Sequence, residues 1–390
     1  MARRGTDAPA TTLEQLLASK EIVVTCGSGG VGKTTTAAAL GTMAAVHLGG
    51  KVLVLTVDPA RRLANAMGME RFGNVEVRVP TERFTAAGLE PRGELWAAML
   101  DTKQSWDDLI RRHAPDERTR DAILANPLYQ NVTGKFVQSH DYIAMERLYD
   151  LHASGTYDLI IVDTPPTRNA LDFLEAPERM AEFFSSRLLR WLLAPYRSRV
   201  VNAASRPFYQ VADRILGSAF LQDIAEFFIL FQSMYDGFVT RARAVERVLE
   251  DRRTTFVVVS TLESSPAREA EFFIRALADK RLHLGALVLN KVLPTYLLDP
   301  GAGAAAARLV ADPTTAAASV APDVGEPDMV ARVLREVGGS FLNFQVAANR
   351  EASQRAELGA VPDVVASVPY LETDVFDLSG LASVGEQLWR

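Results

Sequence analysis

The chain has 390 residues, 48% of them hydrophobic, a formal net charge of −6 and one cysteine. That length can bury a large core with an inserted subdomain, and the negative balance argues against a nucleic-acid partner. The lone Cys26 excludes an intrachain disulfide, a paired-cysteine zinc site and a cysteine-held iron–sulfur cluster. Residues 1–20 read as a flexible N-terminus without an apolar leader, and no stretch reaches the ~18 uninterrupted apolar residues of a spanning helix, so a cytoplasmic location is expected. Residues 21–25 are a β-branched strand signal, and residues 36–40 are helix-prone. Between them, Cys26-Gly27-Ser28-Gly29-Gly30-Val31-Gly32-Lys33-Thr34-Thr35 fits the G-x-x-x-x-G-K-[ST] phosphate-binding pattern. In that reading Gly29, Gly30, Val31, Gly32, Lys33, Thr34 and Thr35 cradle the phosphates of a nucleoside triphosphate, Lys33 reaches the β/γ-phosphates, and Thr34 binds Mg²⁺. Cys26, beside this loop, reads as a small buried residue.

Two further apolar runs end in carboxylates, residues 51–58 at Asp58 and residues 157–163 at Asp163. Buried parallel strands deliver such groups to their carboxyl edge, where ligands bind. Asp163 suits a magnesium-holding role through water, and Asp58 suits orientation of the attacking water; capping the helix after Pro59 is a compatible second role for Asp58. Residues 255–260, 284–290 and 364–369 read as further core strands. The expected fold is α/β: a P-loop NTPase with a mostly parallel, doubly wound sheet and an inserted α-helical subdomain. The predicted layout is core over 21–90, first part of the insert over 91–150, core with the second switch over 151–175, second part of the insert over 176–250, and core over 251–390. Within the last segment, residues 301–322 are a low-complexity, alanine-rich stretch expected to be a mobile loop or frayed helix. The second insert segment is rich in aromatic and leucine residues, including Phe183, Trp191, Phe220, Phe227 and Phe231.

These motifs resemble those of the ArsA-type ATPases, a family that includes the arsenite-pump ATPase and the tail-anchored-protein targeting ATPase. Gly27 to Thr35 resembles the family's phosphate loop, Asp58-Pro59-Ala60 the start of its first switch, and Asp163-Thr164-Pro165-Pro166-Thr167 its second. Glu263 stands where the family carries a Pro-Glu pair, with Leu262 in place of the proline. The resemblance implies that Asn290 reads adenine and that Val368-Pro369 lines the base pocket. It also implies a face-to-face dimer. The family usually places a second lysine two residues into the loop, which reaches the partner's phosphates; here that residue is Ser28. A heterodimer with a lysine-bearing ArsA-like paralogue, or a homodimer using Arg61, Arg62 or Arg168 as an internal arginine finger, would compensate. A narrower resemblance is to actinobacterial ArsA-like paralogues.

The function implied is an ATP-hydrolysing dimeric switch whose helical subdomain holds a hydrophobic client or membrane protein. The alternative is an ATPase subunit of an anion or small-molecule transport system, or a small-molecule enzyme coupled to ATP hydrolysis. His140 and His152 are too isolated in sequence to suggest a metal site. The glycine-broken segment 378–390, nearly free of positive charge, does not suit a basic membrane-binding helix.

Overall fold

The computed structural model describes residues 10–57, 67, 73–132, 137–164, 182, 226–231 and 233–389. Among them, eight strands form one sheet in the order β3-β4-β2-β5-β1-β6-β7-β8. In chain order these are β1 (Ile22–Cys26), β2 (Gly50–Thr56), β3 (Val77–Arg78), β4 (Gly93–Met99), β5 (Leu159–Asp163), β6 (Thr254–Ser260), β7 (Leu284–Val292) and β8 (Val364–Pro369). Every pairing is parallel except β3 against β4. All five residues of β1 and of β5 are buried. This explains their unbroken β-branched and aliphatic runs, since both faces of a parallel sheet are covered by helices.

Successive side chains on a strand point to opposite faces, and the core divides accordingly. Ile22, Val24, Leu53, Leu55, Ile160 and Val162 belong to one cluster; Val23, Val52, Val54, Leu159 and Ile161 belong to the other. The second cluster is covered by α1 (Leu13–Ala18), α2 (Lys33–His47) and the C-terminal α13 (Leu378–Trp389), which contributes Leu381, Val384 and Leu388. Ala37, Ala38, Ala39, Ala44 and Ala45 keep α2 slim enough to lie close to the sheet.

The first cluster continues without a break into a helical layer. It is built from α4 (Thr102–His113), α5 (Glu117–Ala125), α6 (Pro127–Val132), α7 (Val137–Ala153), the helical turn at 226–231 and α8 (Tyr235–Glu250). Trp106 stacks on Tyr142 with ring centroids 5.8 Å apart, and Phe231 stacks on Phe238 at 5.9 Å. Inside this aromatic cluster Arg241 Nε donates to Glu146 Oε1 at 3.1 Å, and the Tyr142 hydroxyl donates to the same carboxylate oxygen. Burial raises the Glu146 carboxyl above the ordinary glutamate range, with Arg241 opposing.

Three expectations are corrected. Residues 301–322, expected as a mobile loop or frayed helix, are two packed helices: α10 (Pro300–Ala311) and α11 (Pro313–Val324) occupy them and pack on the long α12 (Pro327–Leu358). Alanine is the best helix former, and the starts are well capped, Asp299 accepting from Gly301 N at 3.1 Å and Ala302 N at 3.0 Å. Residues 91–150 are not purely helical insert, because β4 lies within the sheet and pairs with β2 from Gly50↔Gly93 to Thr56↔Met99. Nor is all of 1–20 flexible: Leu13, Leu16 and Leu17 on α1 are buried against the core. The remaining helices are α3 (Thr81–Ala86) and α9 (Ser264–Asp279). No helix among the described residues is long and apolar enough to cross a membrane.

Candidate functional site: a nucleotide-binding edge

The loop between β1 and α2 lies at the carboxyl edge of the sheet, with β1 flanked by β5 and β6. Gly32 caps α2 in a left-handed conformation, φ +100°, and its carbonyl accepts from Thr36 N at 2.9 Å. Only glycine adopts that conformation without strain. The first-turn N–H groups of a helix have no intrahelical partners, so the start of α2 offers donors and the positive end of the helix dipole to an anion. Lys33 is 6% exposed and its Nζ donates to the Ser28 carbonyl at 2.8 Å. The ammonium is thereby held against the backbone of the loop itself.

Asp163, the last residue of β5, is fully buried. Its Oδ2 accepts from Thr34 Oγ1 at 2.7 Å and from Thr56 Oγ1 at 2.9 Å. A hydroxyl and a carboxylate at this spacing are hard oxygen donors beside the phosphate cradle, the set that suits a small divalent cation retaining some of its water. Thr34 and Asp163 therefore fit Mg²⁺; bound there, it would offset charge on the phosphate oxygens. Thr56, which the sequence reading did not single out, fixes the carboxylate from β2. Its only signal was its place near the end of a strand that leads to an aspartate. Cys26 is buried below the loop, and burial pushes its thiol well up, with Lys33 opposing, so it is an inert packing residue.

On the other flank, a cavity of about 510 Å³ is lined by Gly30, Gly32, Thr34, Thr35, Asn290 and Pro369, together with residues 370–371 and 373–376. The loop, Asn290 at the end of β7 and Pro369 at the end of β8 are thus brought to one hollow from positions far apart in the chain. The Asn290 amide Nδ2 donates to the Val31 carbonyl at 2.8 Å, while its Oδ1 accepts from Lys291 N at 2.9 Å. Gly29 is exposed at the loop tip, and Val31 is buried in the core. Asp58, Arg61, Arg62 and Arg168, and Phe183, Trp191 and Phe220 of the aromatic stripe, lie outside the described residues. Among the described residues no cluster of three or more His, Cys, Asp or Glu side chains could hold a metal by itself.

The profile of one family, described as anion-transporting ATPase, matches residues 20–301, well over half of the chain and inclusive of the loop, Asp163 and Asn290. The chain belongs to this family. Members hydrolyse ATP, and this chain is an ATP-hydrolysing enzyme with a P-loop. An ATPase ASNA1 homolog from Entamoeba dispar is 24% identical over 295 residues, covering 73% of this chain and 81% of the relative. An ATPase GET3 from Podospora anserina is 25% identical over 293 residues, covering 74% and 78%. An ATPase ASNA1 homolog from Leishmania infantum reaches 30% over 219 residues, covering 50% and 52%. These eukaryotic ATPases overturn the narrower resemblance to actinobacterial ArsA-like paralogues: within the family, similarity is spread over most of the chain toward GET3 and ASNA1 proteins.

Proposed function

We propose that the chain is a cytoplasmic, magnesium-dependent ATP switch that works as a homodimer and couples hydrolysis to capture and release of an apolar segment of a client protein. The supporting observation is mechanical continuity. Trp106, Tyr142, Phe231 and Phe238 of the helical layer belong to the same buried cluster as Ile22, Val24 and Val162, on the strands that carry the phosphate loop and Asp163. Interiors are close-packed and transmit strain, so a shift at Asp163 when the terminal phosphate leaves would reach the helical layer through direct packing. The resemblance to tail-anchored-protein targeting ATPases, stated above on the motifs, supports a hydrophobic helix as the client.

In this reading Lys33 and the start of α2 hold the phosphates, Thr34 and Asp163 hold Mg²⁺, Asn290 and Pro369 meet the base, and Asp58 orients the attacking water. Orientation of a nucleophile acts in the transition state. Asp58→Asn should therefore retain ATP affinity and lose most of its kcat.

The direct test measures binding of a fluorescent apolar helical peptide to the purified chain with ATP, with ADP and without nucleotide, alongside the molar mass of the chain in each state. The expected result is a dimer whose peptide affinity changes between ATP and ADP. Identical peptide binding in all three states would overturn the client reading, and a monomer throughout would overturn the homodimer.

A further inference from the structure

Asn290 ends in an amide whose two polar atoms have opposite roles, and backbone groups engage both. Its Nδ2 donates to the Val31 carbonyl at 2.8 Å, and its Oδ1 accepts from Lys291 N at 2.9 Å. Turning the amide over would set N–H against N–H and oxygen against oxygen, so the two contacts fix one orientation. The second contact depends on an unusual backbone. Lys291 has φ +58°, in the left-handed region that residues other than glycine, asparagine and aspartate rarely adopt. Among the described residues the only other non-glycine residue with positive φ is Arg281, which follows the end of α9, where a left-handed residue commonly stops a helix. Lys291 instead lies within β7. Leu289 pairs with Ser367 and Val292 with Pro369, so β7 holds one residue more than β8 there, and the Lys291 N–H in this bulge turns back onto the preceding side chain. A conformation that costs free energy persists only where its surroundings hold it, and such residues gather at functional sites.

The hollow beside the phosphate loop is lined by both Asn290 and Lys291. After its two backbone contacts the amide has one N–H left on Nδ2 and one lone pair left on Oδ1. Adenine presents an amino donor beside a ring-nitrogen acceptor on its pairing edge; guanine presents a carbonyl acceptor beside a ring N–H donor, the same pair reversed. A freely turning amide could match either base by flipping over. An amide held in one orientation matches one of them and sets like against like on the other, and polar groups left unpaired are what make such a site selective.

We infer that Lys291 is a positioning residue for base choice: its left-handed backbone locks the Asn290 amide, and this lock, rather than the amide alone, makes the site prefer adenine to guanine nucleotides. The lysine ammonium has no part in the choice. The inference rests on the contact between Asn290 and the base in the function proposed above.

The test is competition binding of ATP, GTP and inosine triphosphate to the parent, Lys291→Gly and Lys291→Val chains, with thermal midpoints recorded without nucleotide. Inosine triphosphate carries the guanine carbonyl and ring N–H without the 2-amino group, so its affinity relative to ATP reports the amide and not the room around the base. The parent should favour ATP over both by roughly tenfold or more. Glycine enters the left-handed region freely, so Lys291→Gly should keep the ratio of ATP to inosine triphosphate affinity within about twofold of the parent, with a thermal midpoint unchanged or raised. A β-branched residue does not settle at positive φ, so Lys291→Val should release the N–H and bring that ratio to within about twofold of one, with ATP still bound. Both variants remove the ammonium, so a lost ratio or a lowered midpoint in Lys291→Gly would overturn the lock. If the valine chain does not fold, hydrogen exchange at the Lys291 N–H of the parent decides: slow exchange is expected, and exchange as fast as in an unstructured chain would overturn the lock. A parent that binds all three nucleotides equally would overturn the base contact of Asn290 itself, whereas a selective parent with an undiminished ratio in Lys291→Val would overturn the lock alone.

Discussion

The side-chain amide of Asn290 donates to the backbone carbonyl of Val31 at 2.8 Å, so the end of β7 holds the middle of the phosphate loop. One asparagine thus shapes the loop while standing at the mouth of the hollow that would receive the base. Asn290→Ala should weaken ATP binding by roughly tenfold, the value of a hydrogen bond or two. It should also narrow the preference of the parent for ATP over GTP, since an amide can match the adenine edge and mismatches guanine. Competition binding with the two nucleotides checks both effects, and equal affinities in the parent would leave Asn290 only its loop-holding role.

Gly32 and Gly30 both have positive φ, +100° and +80°, yet their surroundings differ. A methyl group at Gly32 would overlap the Asn290 amide, whereas one at Gly30 meets nothing within 4 Å. Gly30→Ala should therefore cost only backbone strain, about 1–2 kcal/mol. Gly32→Ala should cost more and should also displace Asn290 from Val31. Thermal denaturation ranks the two, and the ATPase rate should fall much further in Gly32→Ala.

Asp163→Asn keeps the size of the side chain but replaces a charged acceptor with an amide facing the Thr34 and Thr56 hydroxyls. Magnesium-dependent turnover should fall roughly 10–100-fold, the usual cost of disturbing a water-mediated metal partner. Nucleotide binding without magnesium should change far less. Comparing titrations with and without the cation separates these; an equal loss in both would assign Asp163 to folding alone.

Much of this was legible in the sequence. Six strands announced themselves because parallel strands buried on both faces need unbroken apolar runs; Asp163 stood at the end of one, and Lys33 and Thr34 opened the helix that follows another. Strand β4 was not legible: Trp96, Ala97, Ala98 and Met99 make an ambiguous run that only pairing with β2 resolves. Alanine repeats in α10 and α11 read as low complexity, because composition alone does not show that Ala306 and Ala317 are buried within a helical layer. Thr56 and the Asn290–Val31 contact were invisible because they join segments far apart in the chain.

The Glu146–Arg241 pair in the helical layer is almost wholly enclosed, with side-chain exposures of 2% and 12%. Removing one partner of such a pair leaves a buried charge uncompensated. Glu146→Ala and Arg241→Ala should each destabilise the chain by about 3–5 kcal/mol, whereas an apolar double replacement, Glu146→Leu with Arg241→Met, should cost far less than their sum. Chemical denaturation of the four chains checks this. Strict additivity would mean that the pair contributes no coupling.

At the opposite end of the strands, His283 Nδ1 meets Thr255 Oγ1 at 2.8 Å and its Nε2 meets Asp363 Oδ2 at 3.0 Å, tying β6, β7 and the approach to β8 together. Burial, aided by nearby Lys20, holds the imidazole below its usual value of 6.5, with Asp363 opposing. The folded chain therefore binds this proton less readily than the unfolded chain. Stability from this group is complete above about pH 6.5 and is lost as the pH falls toward the depressed folded value. His283→Asn should flatten the dependence of the thermal midpoint on pH between about 7.5 and 5; an unchanged slope would show that other groups set it.

The strand that carries the phosphate loop has its two neighbours far downstream: Ile22 pairs with Ile160 on one side and with Thr254 on the other. On a ribosome adding about 5–20 residues per second, β1 emerges roughly 10–50 s before the strand that completes its second edge. During that interval Ile22, Val23 and Val24 form an apolar strand with at least one bare edge, the kind of segment that pairs with the wrong partner. A protein whose central strand is made first and closed last depends on its nascent chain being shielded, so its yield during synthesis should respond to chaperone supply more sharply than the stability of the finished fold would suggest.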